Sequence, residues 1–268
     1  MEGCSTIPIP GASLLGPAAA GDTERVRELI AGGASANQRL LGITPVGVAV
    51  IGGHVATVKA LIEGGADVNE RLENRNTPLM LAARRGNAEM VATLLSLGAD
   101  PNLSNDSGET ALHMAAFEGQ ERIAALLLDA GADPNSRDRQ GVTPLLAAAG
   151  RGKTELVRAL IRSGADLDAR GLADGVTPLL LAAGLGHAEV AMALIAAKAD
   201  VDAVASRTGV TPLMVSSARG DLALARALLA AGARVNARDH RGRTALGLAR
   251  EAGRHEVARL LEEAGATE

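Results

Sequence analysis

A repeat of 33 or 34 residues constrains this chain of 268 residues more than any other feature. Each copy has a Thr-Pro or Thr-Ala pair and a glycine nine residues later. Most copies then reach a Gly-Ala pair, and three of these pairs continue as Gly-Ala-Asp-x-Asn. A chain with this periodicity folds as a row of similar modules, because each module buries its apolar face against the next. The threonines of the Thr-Pro and Thr-Ala pairs are Thr44, Thr77, Thr110, Thr143, Thr177, Thr211 and Thr244.

Each anchor of the repeat has a local physical role. Threonine is a good helix N-cap, and proline suits the first helical position because its missing N–H would have no partner there. We therefore expect a short helix after each threonine and a reversal at the following glycine. Apolar residues spaced like Val91, Leu94 and Leu95 predict a second helix with one buried stripe. The Gly-Ala glycine ends that helix in the left-handed conformation.

A third recurring glycine lies two residues before most of the threonines, where a hairpin tip requires it. The three glycine positions together account for 21 of the 32 glycines. The high glycine content is thus explained by turn geometry. The glycines between the two helices are Gly21, Gly53, Gly86, Gly119, Gly152, Gly186, Gly220 and Gly253.

This unit of finger, helix, turn and helix resembles the ankyrin repeat, and its clearest copy begins at Thr110-Ala111-Leu112-His113. The resemblance covers residues 12–268. It implies an all-α dominated repeat solenoid of ankyrin-type helix-turn-helix units with β-hairpin or loop fingers. Polar residues on the first and last units are typical of capping units, so we expect a complete array. After a lead-in of residues 1–11, the expected units of one repeat domain are 12–43, 44–76, 77–109, 110–142, 143–176, 177–210, 211–243 and 244–268.

Composition limits the function classes. The chain is 47% apolar but has no Trp, no Tyr and one Phe, so its core is built from Leu, Val, Ile and Ala, which argues against a wide aromatic-lined cleft. A net charge of −4 argues against a dedicated nucleic-acid binder. With Cys4 as the single cysteine, no internal disulfide or Cys-based zinc site is possible. No apolar run reaches the roughly 18–20 residues of a membrane span, and the N-terminus is a poor signal peptide. We expect a cytoplasmic monomer that contacts neither membrane nor nucleic acid.

One segment offers an alternative function. Residues 147–154 end in Gly152-Lys153-Thr154 and fit a relaxed phosphate-loop pattern, which would make the protein a nucleotide-binding enzyme. A working phosphate loop follows a buried strand, whereas this segment follows the first helix of a repeat. We therefore expect no enzyme activity and no cofactor, and interpret Gly152 as another inter-helix glycine.

The histidines and the cysteine also have structural interpretations. His54 and His187 follow inter-helix glycines and are expected to cap or bridge the backbone between units, while the resemblance implies that His113 bonds within its own turn. A zinc-protease motif needs a second histidine four residues after the first, but Arg259 stands four residues after His255. We expect no metal site, and we interpret Cys4 as an exposed, inert thiol. The arginines near the C-terminus could bind nucleic acid, but no aromatic side chain accompanies them.

The resemblance implies a protein-binding module whose finger tips and first helices form one concave face. The residues that the motif leaves free include Ile51 and one aromatic anchor, Phe117, which we expect beside Arg84 and Arg151 because aromatic and arginine residues are enriched in binding hot spots. Packing of Phe117 on its own neighbours is an equal alternative. The predicted partner-binding residues are Arg84, Arg85, Phe117, Glu118, Arg151, Leu172, Val176, Leu185, Arg207, Val210 and Arg219.

The least regular stretch is residues 166–212, where both 34-residue spacings fall. Lys198 stands there in place of the helix-ending glycine, and Asp168 and Asp202 stand in place of asparagine. A left-handed Lys198 would cost on the order of 1 kcal/mol. The alternatives are neutral drift and fingers altered to meet a partner.

Overall fold

A computed structural model describes residues 13–267; Cys4 and the lead-in of residues 1–11 lie outside this range. Within it, the chain forms sixteen α-helices in eight successive pairs. The first helices of the pairs are Leu15–Ala20 (α1), Pro45–Gly52 (α3), Pro78–Arg85 (α5), Ala111–Glu118 (α7), Pro144–Gly150 (α9), Pro178–Leu185 (α11), Pro212–Arg219 (α13) and Ala245–Glu251 (α15). The second helices are Thr23–Ala31 (α2), Val55–Glu63 (α4), Ala88–Ser96 (α6), Glu121–Asp129 (α8), Thr154–Arg162 (α10), Ala188–Ala196 (α12), Leu222–Ala230 (α14) and His255–Glu263 (α16).

The first helices begin as the repeat predicts. The hydroxyl of Thr44 accepts a hydrogen bond from the Gly47 N–H at 3.1 Å, and Pro45 occupies the first helical position. Gly53 then ends α3 in the left-handed region, with φ of 76°. The glycines with positive φ in residues 13–267 are the 21 that occupy the three recurring positions. The local turn assignments made from the sequence are therefore confirmed.

The chain divides into two compact units, an N-terminal half that ends at Ala132 and a C-terminal half that begins at Asp133. In the N-terminal half, first helices pack on first helices (α1 on α3, α3 on α5, α5 on α7), and second helices pack on second helices in the same order. In the C-terminal half, α9, α11, α13 and α15 form the row of first helices, and α10, α12, α14 and α16 form the row of second helices.

The core of each half is aliphatic. Leu61, Leu94 and Leu127 on successive second helices are fully buried, and burying one such side chain stabilises the fold by roughly 1.5–3 kcal/mol. Buried alanines such as Ala83 and Ala116 line the first helices and let them approach closely. The consecutive helix pairs and aliphatic core confirm the predicted fold class.

Asparagine side chains tie one module to the next. The Asn37 side chain donates to the Gly65 carbonyl at 2.8 Å and accepts from the Asp67 N–H at 2.9 Å. Asn135 repeats this arrangement with Gly164 and Asp166 in the C-terminal half. Each asparagine therefore satisfies two main-chain groups in the loop that follows the second helix of the next module.

The fingers between successive pairs are turns and loops. In the described residues, bridge pairing is limited to two isolated antiparallel bridges, Leu40 with Ile43 and Gly171 with Val176. Lys198 adopts a φ of 74°, which confirms that this residue occupies a left-handed turn.

Candidate functional site

The predicted partner-binding residues of the N-terminal half lie at the ends of two neighbouring first helices. Arg84 and Arg85 end α5, Phe117 and Glu118 end α7, and these helices pack on each other. All four side chains are exposed, and 53% of the Phe117 surface is open to solvent. The structure thus brings these four residues to one face. The expected placing of Phe117 beside Arg84 and Arg151 stays a prediction, because Arg151 belongs to the other half.

The predicted residues of the C-terminal half divide between helix ends and fingers. Arg151 follows α9, and Leu185 and Arg219 end α11 and α13. Arg219 also donates to the Gly184 carbonyl at 2.9 Å, so it links two modules.

On the fingers of this half, Leu172 is exposed, with a φ of 62°. Val176 and Val210 are half-buried. Arg207 forms an ion pair with Asp174 on the preceding finger at 2.8 Å. The two valines therefore offer less surface than expected, and Arg207 is engaged within the protein.

A group of exposed apolar side chains in the N-terminal half was missed from the sequence. Leu40, Leu41 and Ile43 form the first finger, and Ile51 lies near the end of the next helix; we call these four residues the first-finger patch. Their exposed fractions run from 49% for Ile51 to 94% for Leu41. Ile51 is one of the positions that the repeat motif leaves free, but the pattern of the repeat does not predict the three finger residues.

The signal that identifies this patch is a comparison of the fingers. Leu41 lies three residues before Thr44, and the six later fingers have polar residues at that position. Because the Leu41 side chain is exposed, it adds no buried apolar surface to the core of the fold. The leucine at this position therefore needs an explanation other than stabilisation of the fold. The polar residues are Asn74, Ser107, Gln140, Asp174, Thr208 and Arg241.

A cleft of about 220 Å³ opens beside the first-finger patch, between the first and second fingers. Five aliphatic residues line it together with two glycines and the polar residues Thr44, Asn74 and Asn76, and Glu73 and Arg84 supply charge to it. An apolar cavity of about 150 Å³ holds a benzene molecule, so this cleft has room for one large apolar side chain. The aliphatic lining residues are Ile43, Val48, Ile51, Leu72 and Leu81.

The two fingers that border the cleft contain three left-handed residues other than glycine. The φ angles are 51° for Leu41, 54° for Asn74 and 58° for Arg75. Asparagine tolerates this region, but leucine and arginine lose about 1–2 kcal/mol each. Arg75 stands where the other six fingers carry the recurring glycine. Backbone strain of this kind is concentrated at functional sites.

These two fingers also lack the closure by a side chain that the third, fourth and seventh fingers have. Asn105, Asp138 and Asp239 each accept hydrogen bonds from main-chain N–H groups two and four residues further on. The first and second fingers carry Arg39 and Leu72 at that position. Arginine has no acceptor and leucine has no polar group, so neither side chain can close the turn in this way.

Within each half of residues 13–267, the main chains of neighbouring fingers are bonded to each other, except between the first and second fingers. The Asp106 N–H donates to the Asn74 carbonyl at 3.0 Å, and similar bonds join the later fingers within the C-terminal half. Within residues 13–267, the corresponding carbonyl of Leu41 and N–H of Glu73 form no hydrogen bond. The bases of these fingers are joined by the Arg39 guanidinium, which donates to the Arg71 carbonyl at 2.6 Å, and arginines join the bases of other fingers in the same way. The cleft therefore opens where the finger-to-finger bond is missing.

A half-buried carboxyl group lies beside the cleft. The hydroxyl of Thr44, which is also a lining residue, donates to Glu70 Oε1 at 2.6 Å. Burial raises the pKa of Glu70 above its ordinary value; the Thr44 hydrogen bond and the positive charge of Arg39 oppose this shift without cancelling it.

The phosphate-loop-like segment is a helix-turn-helix connection. Its N–H groups donate within the turn: Gly152 to the Ala149 carbonyl, Lys153 to that of Ala148, and Thr154 to that of Gly152. A phosphate loop uses such groups to surround phosphates. The local geometry therefore does not resemble a nucleotide site.

Three histidines bond as expected from the sequence. His54 Nε2 lies 3.1 Å from the Ala19 carbonyl, and His187 Nε2 lies 3.2 Å from that of Gly150, so both rings bridge modules. His113 Nδ1 accepts from the Thr110 N–H at 3.2 Å, within its own turn. In residues 13–267 no three His, Cys, Asp or Glu side chains form a group suited to a metal ion.

Several C-terminal arginines are engaged within the protein. Arg243 pairs with buried Asp239 at 2.8 Å, Arg250 pairs with Glu262 at 2.7 Å, and Arg254 donates to the Ala218 carbonyl. Burial would raise the pKa of Asp239, but hydrogen bonds from the main chain and guanidinium of Arg243 and the N–H of Arg241 outweigh it and lower the pKa.

Comparison with known families gives one result. The sequence model of a family described as "Ankyrin repeats (3 copies)" matches residues 17–105, 71–138, 112–205 and 193–267. No curated protein matches the chain. Among the helices in the described part of the chain, none has the length and apolar character needed to cross a membrane.

Proposed function

Since the chain belongs to the ankyrin repeat family, whose repeats form protein–protein interaction modules, we propose that it is a non-catalytic scaffold or adaptor. Its partner protein binds the face made by the fingers and the first helices, which is the face that the resemblance identifies as concave. We also infer that it acts as a monomer in the cytoplasm, where a chain with a single cysteine needs no disulfide.

The observation that carries this proposal is the first-finger patch. Leu41 is 94% exposed and has a left-handed backbone. The contact of its apolar side chain with water and its backbone conformation are therefore both unfavourable. Folding does not explain such a residue, whereas burial against a partner does. The adjoining cleft and exposed Phe117 extend the apolar surface available on the N-terminal half.

The area of this half is sufficient for one partner. A standard interface buries about 800 Å² on each side and uses about 20–30 residues. Each module offers about six positions that the repeat motif leaves free, so the four helix pairs of the N-terminal half supply about this number.

Affinity capture from the native organism tests the proposal. The bait is the full chain, compared with a Leu41→Ser/Ile51→Ser double variant and with Phe117→Ala. Met192→Ser is the matched control, because Met192 is an exposed apolar residue on a second helix of the other half. We expect the parent and control baits to retain a protein that the double variant loses. Equal capture by all four baits would contradict binding at this face.

A further inference from the structure

The cleft is sized for a single side chain. Its volume of about 220 Å³ exceeds the roughly 150 Å³ that accommodates benzene, and aliphatic residues line it from both fingers and from α3 and α5. A leucine, methionine or phenylalanine side chain would fill it. A docked amphipathic helix needs several anchors spaced over two turns, and this cleft provides one.

The main chain beside the cleft favours an extended segment. Leu41 and Glu73 are exposed, and within residues 13–267 the Leu41 carbonyl and the Glu73 N–H form no hydrogen bond. In the other fingers of each half, the equivalent groups bond across the gap. An extended peptide supplies one donor and one acceptor at such a gap, as in other cases where a peptide adds to an exposed backbone edge.

The charges around the cleft favour an acidic ligand. Arg84 lines the cleft, Arg75 lies at the tip of the second finger, and both side chains are exposed. Neither arginine forms an ion pair in the described part of the chain. The nearby acids are Glu73 and the half-buried Glu70. The nearby arginines are Arg39, Arg75 and Arg84, so arginine is in excess. A guanidinium binds a carboxylate through two parallel hydrogen bonds.

We propose that this cleft binds an extended, acidic segment of the partner protein, which inserts one large apolar side chain between the first two fingers and places a carboxylate at Arg84. This inference rests on the proposed scaffold function and specifies the chemistry of its ligand.

A selection from a random dodecapeptide display library, with the full chain as bait, tests the ligand chemistry. We expect enriched peptides to carry Leu, Met or Phe within about four positions of Asp or Glu. A synthetic fluorescein-labelled copy of the most enriched peptide is then measured by fluorescence anisotropy. Replacing its apolar residue with serine, or its acids with glutamine, should weaken binding about tenfold or more. Enrichment of basic peptides, or no enrichment, would overturn the proposal.

Protein variants then locate the binding site. Ile51→Ser and Arg84→Glu should each weaken the peptide about tenfold, and the Arg84→Glu effect should shrink as salt is raised. The matched controls are Met192→Ser and Arg122→Glu, which change exposed residues on second helices. Every variant is first compared with the parent by thermal melting, and a variant that melts much lower is replaced by Ile51→Ala or Arg84→Gln. Equal losses in controls and site variants would overturn the assignment to this cleft.

Other occupants give different results. If the peptide binds only after deletion of residues 1–12, that segment occupies the cleft and the proposal is wrong. Sedimentation that detects a dimer abolished by Leu41→Ser would instead identify a second copy as the occupant. The affinity capture separates the two levels of inference: a Leu41-dependent partner without peptide binding leaves the scaffold function intact and rejects the acidic ligand.

Discussion

At the scale of single residues, five positions other than glycine carry a positive φ within residues 13–267, and two of them are leucines at finger tips. Leu41 and Leu172 each belong to a finger that contains one of the two isolated bridges. Closure of the turn by main-chain bonds holds these leucines in a region that they avoid when free. The proposed function predicts that these exposed leucines contact a partner.

Lys198 provides a direct test of backbone strain. Replacing it with glycine should stabilise the protein by up to about 1 kcal/mol, because glycine adopts a φ of 74° without a steric penalty. For a chain of this size that corresponds to a rise of about 2–4 °C in melting temperature. The measurement is thermal unfolding followed by circular dichroism. Lys198→Ala retains a Cβ and serves as the control; an equal gain from alanine would show that strain is not the cause.

Glu70 should make stability depend on pH. Burial raises its folded-state pKa above the ordinary value of 4.5, so the folded state binds a proton more tightly than the unfolded state does. The free energy of unfolding should therefore fall as pH rises from about 4.5 through the raised pKa. Glu70→Gln should remove this loss and be more stable than the parent at neutral pH.

Urea unfolding at several values of pH between about 4 and 7.5 measures the Glu70 effect, with Glu89→Gln, on the exposed surface of α6, as the control. A difference between the parent and Glu70→Gln that stays constant over this range would contradict the assignment.

At the scale of elements, the fingers differ from one another more than the helices do. Helix ends are set by caps and glycines that recur in nearly every module, whereas closure of a finger by a side chain depends on one residue five positions before the threonine. Asn105, Asp138 and Asp239 close their fingers, and Arg39 and Leu72 do not. The cleft lies between these two neighbouring fingers.

Removal of the Asp239 carboxylate should open the last finger. Asp239→Ala deprives the N–H groups of Arg241 and Arg243 of an acceptor and breaks the ion pair with Arg243. We expect a loss of about 2–3 kcal/mol in urea unfolding, since hydrogen bonds to charged groups contribute about 1.5–3 kcal/mol.

The Asp239 contribution is also expected to depend on pH. Because its folded pKa lies below the ordinary value of 3.8, the stabilisation is present above that value and is lost as pH falls through the lowered pKa. A substitution that costs less than about 0.5 kcal/mol at neutral pH would show that the finger closes without this group.

At the scale of the whole molecule, the sixteen helices of residues 13–267 are similar in length. The repeat motif fixes their caps and buried positions and leaves the identity of the exposed side chains free. We expect the proposed scaffold function to reside in exposed positions rather than in a catalytic cavity. The surface of the N-terminal half is apolar around the first finger, whereas the last fingers of the C-terminal half carry Arg207, Arg238 and Arg243, which are engaged within the protein.

Nucleotide should not stabilise the protein. ATP at about 1 mM is expected to leave the melting temperature of the full chain unchanged, because the N–H groups around Gly152 are already bonded within their turn. Differential scanning fluorimetry of the parent and Lys153→Ala measures this. A rise that depends on Lys153 would contradict the scaffold function and favour the nucleotide-binding alternative.

The sequence by itself determined the helix pairs, their caps and the left-handed glycines, because each depends on residues within one turn of each other. It also identified the bonds of His54, His113 and His187, since the repeat fixes which groups lie opposite those rings. Only the tertiary structure decided where the apolar cleft lies and how far Val176 and Arg207 are engaged. The exposure of a side chain and the spacing of two fingers depend on residues about 30 positions apart in the sequence. The distance in space between such residues is set by the packing of whole modules and not by any local pattern.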